Sequence, residues 1–226
     1  MIKFFQKLKA KKGFTLVELI VVIAIIGVLA AILVPTMLGY VTNSRVTSVN
    51  STAASIKNNV DTFLTNADTA GYGMLKGVNN NNIFEITVAN GTWTVNMSVT
   101  AAFRNGNGMT WATGGTGTAA ATKVGVTNPA SLLAIELADL FPEVDTASML
   151  VYVEGGKTLA VAYTADTSTA LTAGTDCPAI TSGANGNGGG WTANAQGAVV
   201  FAWDNSTAGV SSTGLIVGTA PIVALG

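Results

Sequence analysis

The chain has 226 residues, a single cysteine and no histidine. Without histidine there is no Ser/His or Cys/His nucleophile system and no histidine metal site, and a lone Cys177 cannot close an intrachain disulfide. Charged residues are only 10% of the chain and sum to −1, so a broad basic face for nucleic acid is not expected.

The charge is unevenly placed. Lys3, Lys7, Lys9, Lys11 and Lys12 all precede Gly13, and none of the acids do. Without residues 1–13, six basic groups face twelve acidic ones. From Thr15 to Pro35 the only polar side chains are Thr15 and Glu18, and a helix of that length crosses a bilayer core of about 30 Å. The flanking lysines predict a cytoplasmic N-terminal side. Glu18 is the exception, because a carboxylate inside an apolar span costs roughly 2.5–3.5 kcal/mol and calls for a partner. Cleavage after Gly13 would create an amine at Phe14, one helical turn from that carboxylate. The Gly13–Phe14 junction precedes the apolar core, whereas an ordinary secretory signal is cut after it. Residues 1–13 therefore read as a removable leader and the helix as a retained one, with an uncleaved signal anchor as the plain alternative.

Gly13-Phe14-Thr15-Leu16-Val17-Glu18-Leu19-Ile20, with Gly27 and Pro35 beyond it, resembles the prepilin signature of type IV pilins and pseudopilins. The resemblance covers about residues 1–60. It implies cleavage by a prepilin peptidase after Gly13, N-methylation of Phe14, and pairing of Glu18 with the terminal amine of a neighbouring subunit. Pro35 matches a family proline associated with a bent or locally melted helix in filaments. The single cysteine departs from the C-terminal disulfide loop of many Gram-negative members, which points toward a Gram-positive or disulfide-free subgroup.

The helical pattern continues past Pro35. Val46, Val49, Ala53, Ile56, Val60 and Phe63 recur at spacings of three and four, an apolar stripe made to pack on a sheet. Arg45, Ser48, Asn50, Lys57, Asn58 and Asp61 fall off it. One helix over 14–65 is predicted, with 14–35 spanning the membrane or filling a filament core. A domain over 66–226 follows, giving an α+β chain whose long helix lies on an antiparallel sheet.

Residues 66–82 read as a mobile connector. Asn90-Gly91 predicts a type I′ hairpin that sets Val88 opposite Trp93, Ile86 opposite Val95 and Phe84 opposite Met97, all on one apolar face. Residues 104–127 read as a loop. Asn128 and Pro129 open a short helix as N-cap and first position; Leu132, Leu133, Ile135 and Leu140 form its apolar side, and Pro142 ends it. A second hairpin across Gly155-Gly156 is expected to place Glu154 opposite Lys157 as an exposed pair, Tyr152 opposite Leu159, and Leu150 opposite Val161. Residues 165–197 are loop-like, and strands are expected at 198–203, 215–217 and 222–225. Gly186 to Gly190 lack the strand–loop–helix context of a phosphate cradle.

No active site emerges, and no cofactor or metal is called for. Asp139, Glu143 and Asp145 suit a solvated acidic turn better than a cation site. Asn50, Asn90, Asn96 and Asn205 begin glycosylation-like triplets that an Asn/Thr-rich chain produces by chance. The expected function is a type IV pilus subunit, anchored in the inner membrane as precursor and displayed on the cell surface when assembled. Its partners would be copies of itself, the prepilin peptidase, the assembly platform and the membrane. The alternatives are a pseudopilin of a type II secretion system and a monomeric anchored adhesin using Trp111, Trp191 or Trp203.

Overall fold

The computed structural model describes residues 14–75, 81–97, 102–171, 177, 180–181, 190–191 and 215–221. Helix α1 (Leu16–Thr69) is followed by β1 (Asn81–Ala89), β2 (Thr92–Met97), β3 (Gly114–Gly117), α2 (Pro129–Leu140), β4 (Thr146–Glu154), β5 (Lys157–Thr164), β6 (Ile180–Thr181), β7 (Gly190–Trp191) and β8 (Gly218–Ala220). The chain divides into two units, Met1–Ser44 and Arg45–Gly226, and α1 contributes to both. The fold is α+β, as the sequence predicts.

Among the described residues of the first unit, α1 has nothing to pack against. Every described side chain from Phe14 to Met37 is exposed, including Leu16, Ile20, Ile25, Leu29 and Leu33. Pro35 sits inside the helix and supplies no amide for the i−4 bond. The Thr36 hydroxyl one residue on donates to the carbonyls of Leu33 at 2.9 Å and Ile32 at 3.4 Å.

In the second unit the predicted stripe faces the core. Ala53, Ile56, Val60 and Phe63 are buried, joined by Leu64 and Ala67, and each large apolar side chain so removed from water contributes about 1.5–3 kcal/mol. On the opposite side Ser51, Ser55, Thr62 and Thr65 turn their hydroxyls back onto carbonyls four residues earlier. The off-stripe residues Asn50 and Asp61, both half-buried, bind the sheet. Asn50 Oδ1 accepts from the Thr219 amide at 2.8 Å, and Asp61 accepts from the Thr158 amide while pairing with Lys57 at 3.1 Å.

The main sheet is antiparallel, in the order β3-β2-β1-β4-β5-β8. The β1–β2 hairpin has the predicted register at every pair from Ala89–Thr92 to Phe84–Met97. Asn90 (φ 51°) and Gly91 (φ 69°) supply the positive dihedrals that a type I′ turn requires. The β4–β5 hairpin departs from prediction. Glu154 does face Lys157, but the register shifts between Tyr152 and Val153, so that Tyr152 meets Ala160 and Leu150 meets Ala162. One extra residue in β5 at the shift is a β-bulge, a backbone feature with no required residue type. Nor is Glu154 exposed: it is buried and accepts from the Tyr152 hydroxyl at 3.0 Å.

Strand β4 is buried at every residue after Thr146, because both faces of the sheet are covered. Met149, Val151 and Val153 join the core containing α1 and α2. Leu150 and Tyr152 join a second cluster with Ala160, Ala162, Leu171, Cys177 and Val217. Cys177 therefore serves as a small buried apolar residue.

Three segments read as loops contain structure, and within 165–197 it is the short antiparallel pair β6–β7. Within 66–82 the helix continues to Thr69, and Tyr72 and Met74 are buried, with Met74 bridged to Phe103. Within 104–127 lies β3, Gly-Gly-Thr-Gly. Its glycines are explained by α2. A Cβ on Gly115 would lie 2.2 Å from the Ser131 nitrogen, and one on Gly117 would lie 2.4 Å from the Ile135 nitrogen. Helix α2 starts as predicted, with Asn128 accepting from the Ala130 amide and Pro129 in the first turn. Its buried side is Ala130, Leu133, Ala134, Ile135, Leu137 and Ala138. Leu140 is 53% exposed, a correction to the predicted apolar side. The strand expected at 215–217 is instead Gly218–Ala220, where a Cβ on Gly218 would lie 2.2 Å from the Val49 carbonyl. The strands expected at 198–203 and 222–225 lie outside the described residues.

Any side chain at Gly117 must separate strand from helix, so Gly117→Val should destabilise the chain by at least about 2 kcal/mol. Thermal unfolding of the detergent-solubilised full chain measures this. A melting temperature equal to wild type would contradict the close contact.

Candidate functional site

The residues singled out from the sequence lie along the start of α1. Gly13 is outside the described residues. Phe14 is 85% exposed, and Thr15 and Glu18 form a reciprocal cap. The Glu18 Oε2 atom accepts from the Thr15 amide at 2.9 Å and from its hydroxyl at 2.7 Å, while Thr15 Oγ1 accepts from the Glu18 amide at 3.2 Å. This is a capping box, in which a hydroxyl and a carboxylate three residues apart satisfy amides that the first helical turn leaves open. The Thr-x-x-Glu spacing marks a helix start in the sequence, a signal independent of the cost of the carboxylate in a membrane. Among the described residues, Glu18 Oε1 has no hydrogen-bond partner.

Beyond the cap, Leu16–Met37 is a 22-residue span of mean hydropathy 3.1, long and apolar enough to cross a membrane. Gly27 lies within it, and the position a Cβ would take there has no neighbour within 4 Å. Pro35 lies near its end. The segment thus offers one polar group at its head, apolar side chains all round, and two interruptions of side-chain bulk or hydrogen bonding.

The other candidates resolve into structural roles. Trp111 is buried and donates from Nε1 to the Tyr72 carbonyl at 2.7 Å. Its ring stacks on Phe103 at 4.1 Å and meets Phe63 edge-on at 6.3 Å. It cannot serve as an exposed binding platform, which corrects that part of the adhesin reading. Trp203 lies outside the described residues, and Trp191 is described only by its backbone pairing with Ile180. Asp139 does not gather with Glu143 and Asp145 around a cation. It binds Lys123 Nζ at 2.9 Å and accepts from the Ala120 amide at 2.8 Å. The hydrogen bond from Lys123, then that from Ala120, holds its carboxyl below the usual range. No group of three or more metal-ligating residues occurs among the described residues.

One turn away on α2, the Glu136 carboxyl is pushed up by burial; Lys123 opposes that shift and Asp139 adds to it. A carboxyl raised in the folded state carries no penalty below its unfolded value, and loses stability as pH rises through its folded value. Glu136→Gln should therefore raise the melting temperature at neutral pH, with the gain disappearing at acid pH. Thermal melts across that range test the sign, and a gain that persists in acid would contradict it.

Residues 8–34 match the prokaryotic N-terminal methylation motif. The chain is 35% identical over 117 residues to the fimbrial protein EcpC of Eikenella corrodens, covering 48% of this chain and 76% of that protein. It is 49% identical over 57 residues to the type IV major alpha-pilin of Moraxella bovis, covering 25% of this chain and 36% of that one. It is 41% identical over 61 residues to the type IV major fimbrial protein FimA of Dichelobacter nodosus, covering 27% and 39%. The matched segment thus spans little more than a third of the last two proteins. No solved structure matches the chain. A methylation motif that runs into an exposed apolar helix, a helix-on-sheet unit after it, and a match across most of a fimbrial subunit place this chain in the type IV pilin family.

Proposed function

We propose that the chain is a structural subunit of a type IV pilus, made as a membrane-anchored precursor and polymerised at the cell surface. The observation carrying this reading is the methylation motif over residues 8–34, set on a helix whose large apolar side chains from Leu16 to Leu33 are exposed. Such a helix is stable in lipid, or among copies of itself once it leaves lipid. Repeating one contact without closure yields a helical filament. The relatives named above are all fimbrial proteins or pilins, which puts this reading ahead of a secretion pseudopilin.

In this reading a prepilin peptidase cuts between Gly13 and Phe14 and the new amine is methylated. The leader lysines hold the precursor's N-terminal side in the cytoplasm, and the assembly platform draws the processed subunit from the membrane. Glu18 is the polar point that sets the axial step. Thr15 engages its Oε2, which leaves Oε1 to accept from the Phe14 amine of a neighbouring subunit. An unpaired charge in an apolar surround is strongly destabilising, so the register that pairs the two groups is selected. Gly27 permits close approach between helices, and Pro35 allows the helix to bend or open locally.

The first test is the intact mass and N-terminal residue of the protein in sheared surface material. A chain beginning at methylated Phe14 is expected there, and one beginning at Met1 would return the segment to a signal anchor. In parallel, Glu18→Ala should leave the protein processed and in the membrane while fibre yield collapses. Wild-type fibre yield from that variant would remove Glu18 from assembly.

A further inference from the structure

Asn-Gly dipeptides can rearrange spontaneously, and the chain has five: at 90–91, 105–106, 107–108, 185–186 and 187–188. The last two lie outside the described residues. The first three differ sharply in how the structure holds the two reacting groups. From these differences we infer that Asn107 is a deamidation site of the folded protein, while Asn105, two residues away, is protected.

The chemistry needs the Gly108 amide nitrogen to reach the Asn107 side-chain carbonyl carbon. A bond forms between Gly108 N and Asn107 Cγ, the Cγ–NH2 bond breaks, and ammonia departs carrying the amide proton. Water then opens the resulting succinimide at either carbonyl, leaving aspartate or isoaspartate. No other reactant is required. What the protein controls is access, meaning whether the side chain can turn, whether the amide is occupied, and how much structure must open first.

At Asn107 all three conditions are met. Asn107 (φ 54°) and Gly108 (φ 76°) form a two-residue turn, and Asn107 is exposed. A Cβ on Gly108 would meet nothing within 4 Å. Neither the Asn107 side chain nor the Gly108 amide has a hydrogen-bond partner among the described residues. The turn is closed by bonds between Gly106 and Met109 at 3.1 and 2.9 Å, an isolated bridge outside any sheet. Bringing the two groups together therefore opens one bridge and no ladder, and such local openings lie at the low end of a protein's opening free energies.

At Asn105 both groups are held. Its Oδ1 accepts from the Trp111 amide at 3.1 Å, and the Gly106 amide donates to Met109. The Cβ direction of Gly106 is blocked by the Gly71 carbonyl at 2.7 Å, and Trp111 is itself buried in the aromatic cluster. Asn90 is intermediate. It is exposed, but the Gly91 amide donates to the Asp145 carbonyl at 3.3 Å, and its turn closes the six-pair β1–β2 ladder.

Deamidation would add one negative charge to the surface, and isoaspartate would lengthen the backbone at the turn. A surface subunit that is not resynthesised in place would accumulate both with age. The test is site-resolved peptide mass spectrometry of the full chain, incubated folded in mildly alkaline buffer, with the succinimide and isoaspartate forms scored at Asn90, Asn105 and Asn107. Asn107 should convert at least about tenfold faster than Asn105, in proportion to the extra contacts that must break there, and faster than Asn90. In urea the Asn105 and Asn107 rates should converge, which shows that structure sets the order. Gly108→Ala should slow conversion at Asn107 and leave Asn90 unchanged. Equal rates at 105 and 107 in the folded protein overturn the inference. So does no conversion at Asn107 over a period in which the urea-treated chain converts.

Discussion

The constraint behind the assembly of this protein is an apolar helix whose described side chains are exposed. From Phe14 to Met37 every described side chain is exposed, over a span of mean hydropathy 3.1. At about 25 cal/mol per Å² of apolar surface, such a segment cannot remain in water, and no described residue of its unit shields it. Its stable environments are lipid and other helices of the same kind. Location and polymerisation are then two outcomes of one physical property.

A single charged residue interrupts that property. Glu18 would be costly to bury alone, yet its carboxylate has a local function in the capping box with Thr15. The box draws on one carboxylate oxygen. It fixes the carboxylate at the head of α1 by short-range geometry, so its position does not depend on a partner being present. A capped helix start and a residual acceptor are compatible, which is what the proposed pairing with a neighbouring subunit would require of Glu18.

The unit from Arg45 onward follows ordinary packing rules with few charges. Its helix stripe meets the sheet through alanine, isoleucine, valine and phenylalanine, and two polar side chains, Asn50 and Asp61, dock directly on strand amides. Close approach is achieved where side chains are absent. Gly115 and Gly117 let α2 rest on β3, and Gly218 lets β8 rest on α1. The sheet is covered on both faces, which explains why β4 is buried almost throughout instead of alternating. In so weakly charged a domain, polar satisfaction comes mainly from hydroxyls and amides, as in the Ser and Thr side chains bonded back along α1.

Several features were legible in the sequence because they depend on near neighbours. The apolar span, the stripe from Val46 to Phe63, the Asn128 cap and the whole β1–β2 register follow from periodicity or from a turn dipeptide whose dihedrals only one hairpin type accepts. The prepilin signature was legible for the same reason, as a contiguous run of residues. Other features were decided only by tertiary structure. A Gly-Gly-Thr-Gly strand has no apolar alternation to announce it, since its purpose is to admit a helix that lies elsewhere in the sequence. The bulge after Tyr152 has no residue signature. Trp111 reads as a candidate binding residue until Tyr72, Phe63 and Phe103 close around it from three separate segments. Glu154 reads as a surface charge until the second cluster covers its face of the sheet. Local sequence determines which elements form and where they begin. Which of their residues are hidden depends on segments far away in the chain, and that is settled only when they pack.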